Sequence, residues 1–369
     1  MSAKVKCVTQ LTHGFTIGDA VSDTVRLIHE SAVQLGYDSK IFALSIHENL
    51  QSIAQEAYSE LPPTDVLLLH YSIGGRVLDV FLRSKARLKG FLFHNVTPPE
   101  YFKGINGRVF DNTFDGLRSI RDVVEASSFI ISVSEFNLHT LRRFADLSSK
   151  AHFVLPLAVS EWKINRSSFL DKLNWCCVPK QLRSKKAKIL YVGRVAPNKN
   201  LEAVIRVFRE FKFGFEGDSV LWIVGSEVDC EIYRAKLETL AFTYGVLDSV
   251  VFWGHVSDGL LRLFYQNADC FFTASKHEGF CVPVIEAFKF NLPVVAENSS
   301  GISETVGSSG LLVNTDDAVD TARQIHKAIF DHSFRTELIL KQAERFLYFK
   351  VENFRYRLGE ILRSINDLL

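Results

Sequence analysis

The chain alternates short continuous apolar runs with longer stretches of helical period, and the rhythm occurs twice. Residues 5–10, 65–70, 90–94 and 129–132 read as buried strands. Turn chemistry and an amphipathic stretch follow, as at 19–35 after the first run. That order predicts β-α-β units and a parallel sheet. It restarts at 189–192, 219–224, 250–253, 269–273 and 292–296. The fold class expected is therefore α/β, as two doubly wound domains in tandem. Between the two series, 157–188 holds adjacent cysteines and the cluster RSKKAK, with poor periodicity. The expected organisation is a domain over 1–160, a linker over 161–187 and a domain over 188–345. A helix over 346–369 is expected to pack back toward the first domain. Two such domains imply a crevice, and ligands in open α/β sheets bind beyond the carboxyl ends of the strands.

Composition excludes several classes. Hydrophobic residues make up 47% of the 369, so the chain can bury a core. Lys plus Arg total 43 against 42 for Asp plus Glu, a net charge of +1. A nucleic-acid partner needs a basic excess and is not expected. None of the six cysteines forms a Cys-x-x-Cys spacing. Reduced thiols, no structural zinc and a cytoplasmic setting are expected. No run approaches the roughly 20 apolar residues of a membrane span, and the N-terminus lacks a signal-like segment.

In ILYVGRVAPNKNLEAVIRVF, Gly193 and Arg194 end a strand and Lys199 precedes a helix. Two cations beside a helix N-terminus suit a diphosphate; two solvated loop cations are the plainer reading. In SKHEGFCVPVIEAF, Glu278 and Glu286 bracket Gly279, Phe280, Cys281, Val282 and Pro283. Pro283 fits the first turn of a helix starting near Val282. Gly279 allows close backbone approach, and the N–H groups near Cys281 and Val282 suit an anion. Each carboxylate can accept from a pair of vicinal hydroxyls. For Glu286 alone, complementing a helix dipole is the competing reading.

Residues 189–315 resemble the donor domain of retaining glycosyltransferases of the two-Rossmann GT-B architecture, most closely family 4. The resemblance rests on Gly193-Arg194 with Lys199, LWIVGSEV, VVFWGHVS, ADCFFTASKHEGFCVPVIEAF, LPVVAENSSGISETVG and GLLV, in the expected order. It implies two Rossmann-like domains facing a cleft. It implies that Arg194 and Lys199 hold the donor diphosphate, Glu278 contacts the transferred sugar and Glu286 bonds the ribose. The loop at His255 and Val256 would lie near the base. Cys281 departs from the family, where Gly is frequent, and Ser308-Ser309 replaces a frequent Asp-Ala pair.

The first domain carries Gly14 and Gly18 right after its first strand, in a turn expected to open a helix, and His94 at the end of another strand. Each has a plain structural reading. The resemblance implies a glycine loop over the donor phosphates and a histidine near the sugar, expected as a hydrogen-bond donor. His70 and Tyr71 are expected on the acceptor side. Arg83, Lys85, Arg87 and Lys89 follow an apolar segment and read either as a basic amphipathic helix on an anionic membrane's inner face or as a solvated helix end.

The function expected is retaining, metal-independent transfer of a hexose, mannose favoured, from GDP-mannose or a UDP-hexose. The acceptor would be a glycan or lipid-linked oligosaccharide in surface polysaccharide assembly. No cofactor and no metal site are expected. An epimerase-like enzyme and a non-catalytic nucleotide-sugar-binding protein are the alternatives.

Overall fold

The computed structural model describes residues 5–58, 61–159 and 169–368. They fall into two units. The first takes the described residues of 1–103, 107–160 and 350–369, and the second those of 104–106 and 161–349.

In the first unit the strands are β1 (Cys7–Phe15), β2 (Asp38–Ile46), β3 (Gln55–Glu56), β4 (Thr64–Tyr71), β5 (Ala86–Phe93), β6 (Phe129–Ser132) and β7 (Ala151–Val154). They pair in parallel in the order β3-β2-β1-β4-β5-β6-β7. The second unit has β8 (Ala187–Val192), β9 (Ser219–Val224), β10 (Val250–Gly254), β11 (Cys270–Thr273), β12 (Val294–Glu297) and β13 (Leu311–Val313). Its order is β10-β9-β8-β11-β12-β13, again parallel. Both sheets begin in the middle, walk to one edge, and return to walk to the other. The direction reverses between β1 and β4 and between β8 and β11. Such a reversal leaves the loops beyond neighbouring strand ends free to hold a ligand.

Strands covered on both faces read as unbroken apolar runs. SVLWIV in β9 is buried at all six positions. Helix Ala20–Gln34 starts where Asp19 accepts from Ser22 N at 2.9 Å, and it buries Val25, Leu27, Ile28 and Ala32 on one face. The strands not anticipated from sequence are β2, β3, β7 and β13. Three of these are two to four residues long, and β2 opens on the polar triplet Asp38-Ser39-Lys40.

Several expectations are corrected. Gly14 lies inside β1, paired with Ser45, and not in the turn after it. The basic run 83–90 is not an amphipathic helix. Arg83 ends the helix Arg76–Arg83, while Arg87 and Lys89 lie on β5. There Arg87 pairs with Asp65 at 3.4 Å and Lys89 Nζ donates to Leu82 O at 3.0 Å. The described part of the expected linker is largely helical, with Phe169–Cys177 and Lys180–Arg183. Trp175 packs edge-on against Trp222 and Phe264, and Ser257 Oγ donates to Asp171 Oδ1 at 2.5 Å. Residues 346–369 are not one helix. His332–Leu347 belongs to the second unit and Val351–Asn366 to the first. In the first unit Asn366 Oδ1 accepts from Val5 N at 2.9 Å.

The ends of β8, β9 and β10 meet through glycine. Gly193, Gly225 and Gly254 have φ of 151°, 151° and 64°. Gly225 N donates to Gly254 O at 2.9 Å, and a Cβ at Gly225 would lie 1.9 Å from Gly193 O. Gly225→Ala therefore combines a backbone overlap with a conformation that L-residues avoid. It should cost about 3 kcal/mol. Gly36→Ala, at φ 88° with open space around it, should cost only about 1 kcal/mol. Urea unfolding of both variants checks this; equal losses would contradict it.

Candidate active site

The second unit's site is built on the two loops that follow β8 and β11. After β8 the chain carries Gly193 and Arg194, then a 3-10 turn Pro197–Lys199, then helix Leu201–Gly214. Asn200 turns the corner at φ 52°. After β11 it carries Ser275–Phe280, then helix Val282–Lys289 with Pro283 in its first turn. Asn198 ties the loops together: its Nδ2 donates to His277 O at 3.2 Å and its carbonyl accepts from Lys276 N at 3.0 Å. Across this seam Lys199 Nζ lies 2.5 Å from Glu278 Oε1. Both side chains are less than one-fifth exposed, so the pair is shielded from salt and water. The loop bearing Glu278 rests on the next one: Glu278 N donates to Ser300 Oγ at 3.1 Å, and Gly301 N donates to Glu278 O at 3.0 Å.

Glu286 is buried, and Tyr265 Oη donates to its Oε2 at 2.8 Å. Burial first, then the Glu286 charge, pushes the Tyr265 phenol upward, so it stays a proton donor. Cys281 sits at φ 73° before helix Val282–Lys289, a left-handed conformation that glycine adopts freely. Its thiol is buried and pushed upward, first by desolvation and then by Glu278, which makes it a poor nucleophile. Arg194 is not beside Lys199's partner. Its Nη2 donates to Val228 O at 3.1 Å and lies 3.8 Å from Asp229 Oδ2, with the side chain 41% exposed. His255 is exposed just beyond β10, and Val256 is partly covered. Gly279 and Phe280 lie in the Glu278 loop, where Phe280 packs edge-on against Phe349 at 5.6 Å.

In the first unit Gly18, at φ 79°, lies in the turn between β1 and helix Ala20–Gln34. Ser22 Oγ, bonded to Asp19, closes that turn by accepting from Thr16 N at 2.9 Å. His94 follows β5 and is half-buried. Tyr71 cannot line an acceptor site. It is fully buried, its hydroxyl donates to Gly116 O, and it packs edge-on against Phe91 and Phe93. His70 is 2% exposed and is held between Gln10 and His94, so it too does not reach an acceptor.

Sequence reading missed Asn198, Tyr265, Ser300 and Gln10, because their work is to hold other side chains. Among the described residues, no group of three or more His, Cys, Asp or Glu side chains is arranged to hold a metal ion. None of the described helices is long and apolar enough to cross a membrane.

Burial lowers the pKa of His94 to about 3 and that of His70 well below the usual histidine value. The unfolded chain takes up protons below about pH 6.5, while the folded pair refuses them until far lower pH. Stability should therefore fall as pH drops from about 6.5 toward 3, by up to about 1.4 kcal/mol per pH unit for each ring. Urea unfolding at pH 7 and pH 5 should show a steeper acid loss for wild type than for His94→Phe. Equal slopes would contradict this.

Comparison with known proteins agrees with this architecture. Residues 178–345 match the family described as glycosyl transferases group 1. The O-antigen chain mannosyltransferase B of Escherichia coli is 25% identical over 276 residues, covering 69% of this chain and 65% of that protein. A GDP-mannose-dependent alpha-mannosyltransferase of Mycolicibacterium smegmatis is 34% identical over 128 residues, covering 34% and 30%. The chain thus spans less than two thirds of the length of the curated relatives it matches. Sucrose-phosphate synthase from Thermosynechococcus elongatus superposes with a TM-score of 0.78 at 17% identity, covering 99% of this chain and 100% of that one. The Anabaena protein HepE, solved with UDP and glucose, gives 0.76 at 16% identity, covering 97% and 100%. Residues 178–345 are thus similar to the glycosyl transferases group 1 family, in a chain of GT-B fold.

Proposed function

We propose that this chain transfers a hexose from a nucleoside-diphosphate sugar to a glycan or lipid-linked acceptor, with retention and without a metal. The observation that carries the reading is the Lys199–Glu278 pair at the β8/β11 reversal, with Glu286 fixed close by in the chain. The mannosyltransferases among its relatives favour mannose, with GDP as the nucleotide; a UDP-hexose is the alternative donor.

The chemistry follows from what each group can exchange. Without ligand, Lys199 is neutralised by Glu278. A diphosphate takes over the ammonium as its counter-charge and releases the carboxylate to accept from sugar hydroxyls. One binding event thus prepares both subsites. Among the described residues Arg194 is held by a carbonyl and by a carboxylate 3.8 Å away, so it can turn to the diphosphate at small cost. Glu286 keeps one oxygen on Tyr265 while its carboxylate accepts from the ribose. As the glycosidic bond breaks, negative charge grows on the leaving diphosphate, and the two cations stabilise it there. Attack from the leaving-group face gives retention with no protein nucleophile, in keeping with the neutral Cys281 thiol.

Charge-assisted bonds of this kind contribute about 1.5–3 kcal/mol each. Lys199→Ala should lower kcat/KM by about 10²-fold or more while the protein still unfolds cooperatively. Retained activity would contradict the assignment. Glu286→Ala should raise the donor KM more than it lowers kcat, since ribose contacts persist through the reaction. Steady-state kinetics with varied donor separates the two, and an unchanged KM would count against the ribose role. Conversion of donor without any acceptor would point to an epimerase instead.

A further inference from the structure

A cleft of about 410 Å³ opens in the first unit, lined by Arg121, Arg142, Arg143, Glu125, Asp146 and Phe144 with their neighbours. That size suits a small ligand. Helix Ile120–Glu125 ends just before β6, and helix Glu135–Arg142, which follows β6, ends before β7. The cleft therefore lies at the amino end of the first sheet, opposite the carboxyl ends where open α/β sheets place their ligands. Cations at helix C-termini often do no more than complement the dipole. Here other groups already serve the helix ends. Lys150 Nζ donates to Glu125 O at 3.1 Å and to Ser127 O at 2.7 Å. After the second helix, Arg143 N donates to Thr140 O at 3.1 Å and Phe144 N to Leu141 O at 2.9 Å.

The guanidinium charge in the cleft is left unmatched. Arg121 spends Nε on Phe144 O at 2.9 Å, and its Nη groups make no bond among the described residues. Arg142 Nη2 lies 3.4 Å from His152 Nε2. His152 Nδ1 is 3.1 Å from Lys150 O, which can only accept, so in the neutral ring Nε2 is an acceptor, and a weak one at that distance. The Arg143 side chain makes no hydrogen bond or ion pair among the described residues. Asp146 does not neutralise any of the three, because its carboxylate accepts from Ser148 N and from Ser148 Oγ, each at 2.9 Å. The Glu125 carboxylate also makes no ion pair among the described residues. The lining thus offers three guanidiniums, all on exposed side chains, and one uncommitted carboxylate.

We propose that this cleft binds a phosphate monoester carried on a small hydroxylated group. A guanidinium presents a planar fork that matches two phosphate oxygens. Arg142 and Arg143 are the forks, and Arg121, anchored through Nε, turns its Nη groups to the same anion. Glu125 would repel a bare anion, but it can accept from a hydroxyl borne beside the phosphate. The two oppositely charged parts of the lining therefore select a ligand that has both groups. A free sugar phosphate and a phosphorylated inositol headgroup present this same chemistry. The proposal uses none of the donor-site residues and stands whether or not the chain transfers a sugar.

Nitrogen-15 NMR of the arginine-labelled full chain tests it, with the Nε–H signals of the three arginines assigned by single substitutions. Glucose 6-phosphate is titrated in, with glucose as the control. The expected result is a saturable shift of all three signals with the phosphate and none with glucose. Arg142→Ser combined with Arg143→Ser should raise the Kd, read at Arg121, by about tenfold or more. Both side chains are exposed, so the double variant should unfold at the same urea concentration as wild type. Glu125→Gln should weaken glucose 6-phosphate and leave inorganic phosphate unweakened. Added salt should weaken both anions, since exposed guanidiniums are screened. Lys199→Ala should change none of these shifts, which separates this cleft from the diphosphate site. Cosedimentation with vesicles carrying phosphatidylinositol 4-phosphate, lost in the double variant, would assign the bound phosphate to a lipid headgroup. Equal Kd in wild type and double variant, or no response to either the sugar phosphate or the vesicles, would overturn the proposal.

Discussion

The ion pair between Lys199 and Glu278 joins the two loops at the reversal point of the second sheet. Neither group would be stable there alone, because both are largely shielded from water. Removing one partner leaves the other uncompensated. On the proposed reading, the pair holds ready a cation for the diphosphate and a carboxylate for the sugar. Asn198 keeps the seam in register through two backbone contacts, so the proposed exchange would run between groups already in place.

Close backbone approach makes that arrangement possible. Gly193 and Gly225 bring the ends of β8 and β9 within the reach of a side-chain carbon. On the other side, Gly301 lies so near Gly279 O that a Cβ would fall 2.3 Å from it. Asn200, Cys281 and Ser300 take left-handed conformations at neighbouring corners. Such conformations cost energy in non-glycine residues and persist where surrounding contacts over-determine them. Here the contacts are the Ser300–Glu278 bond and the helices that begin at Leu201 and Val282.

Much of this was legible in sequence. The central strands showed because burial on both faces demands unbroken apolar runs, and the loops showed because Gly, Arg, Lys and Glu stand where apolar runs stop. β3, β7 and β13 did not show, since two to four residues toward a sheet edge carry little pattern, and β2 was hidden by its polar opening. Lys85–Lys89 read as helix because alternating cations after an apolar stretch fit either period; only pairing with β4 and β6 makes Ala86–Phe93 a strand. Tyr71 and His70 looked like site residues because they end a strand. Their side chains turn inward, one to Gly116 and one to the Gln10–His94 line, and nothing in a linear sequence states which way a strand's last residues face. Tyr265 was hidden for a similar reason: it acts through Glu286, 21 positions later.

The most direct measurement is calorimetric titration of GDP and of UDP into the protein in EDTA, compared between wild type and Lys199→Ala. The account predicts that one nucleoside diphosphate binds wild type without a divalent ion, and that the substitution weakens it by about tenfold or more, about 1.4 kcal/mol. Binding that appears only when Mg²⁺ is added, or equal affinity in the two proteins, would contradict it.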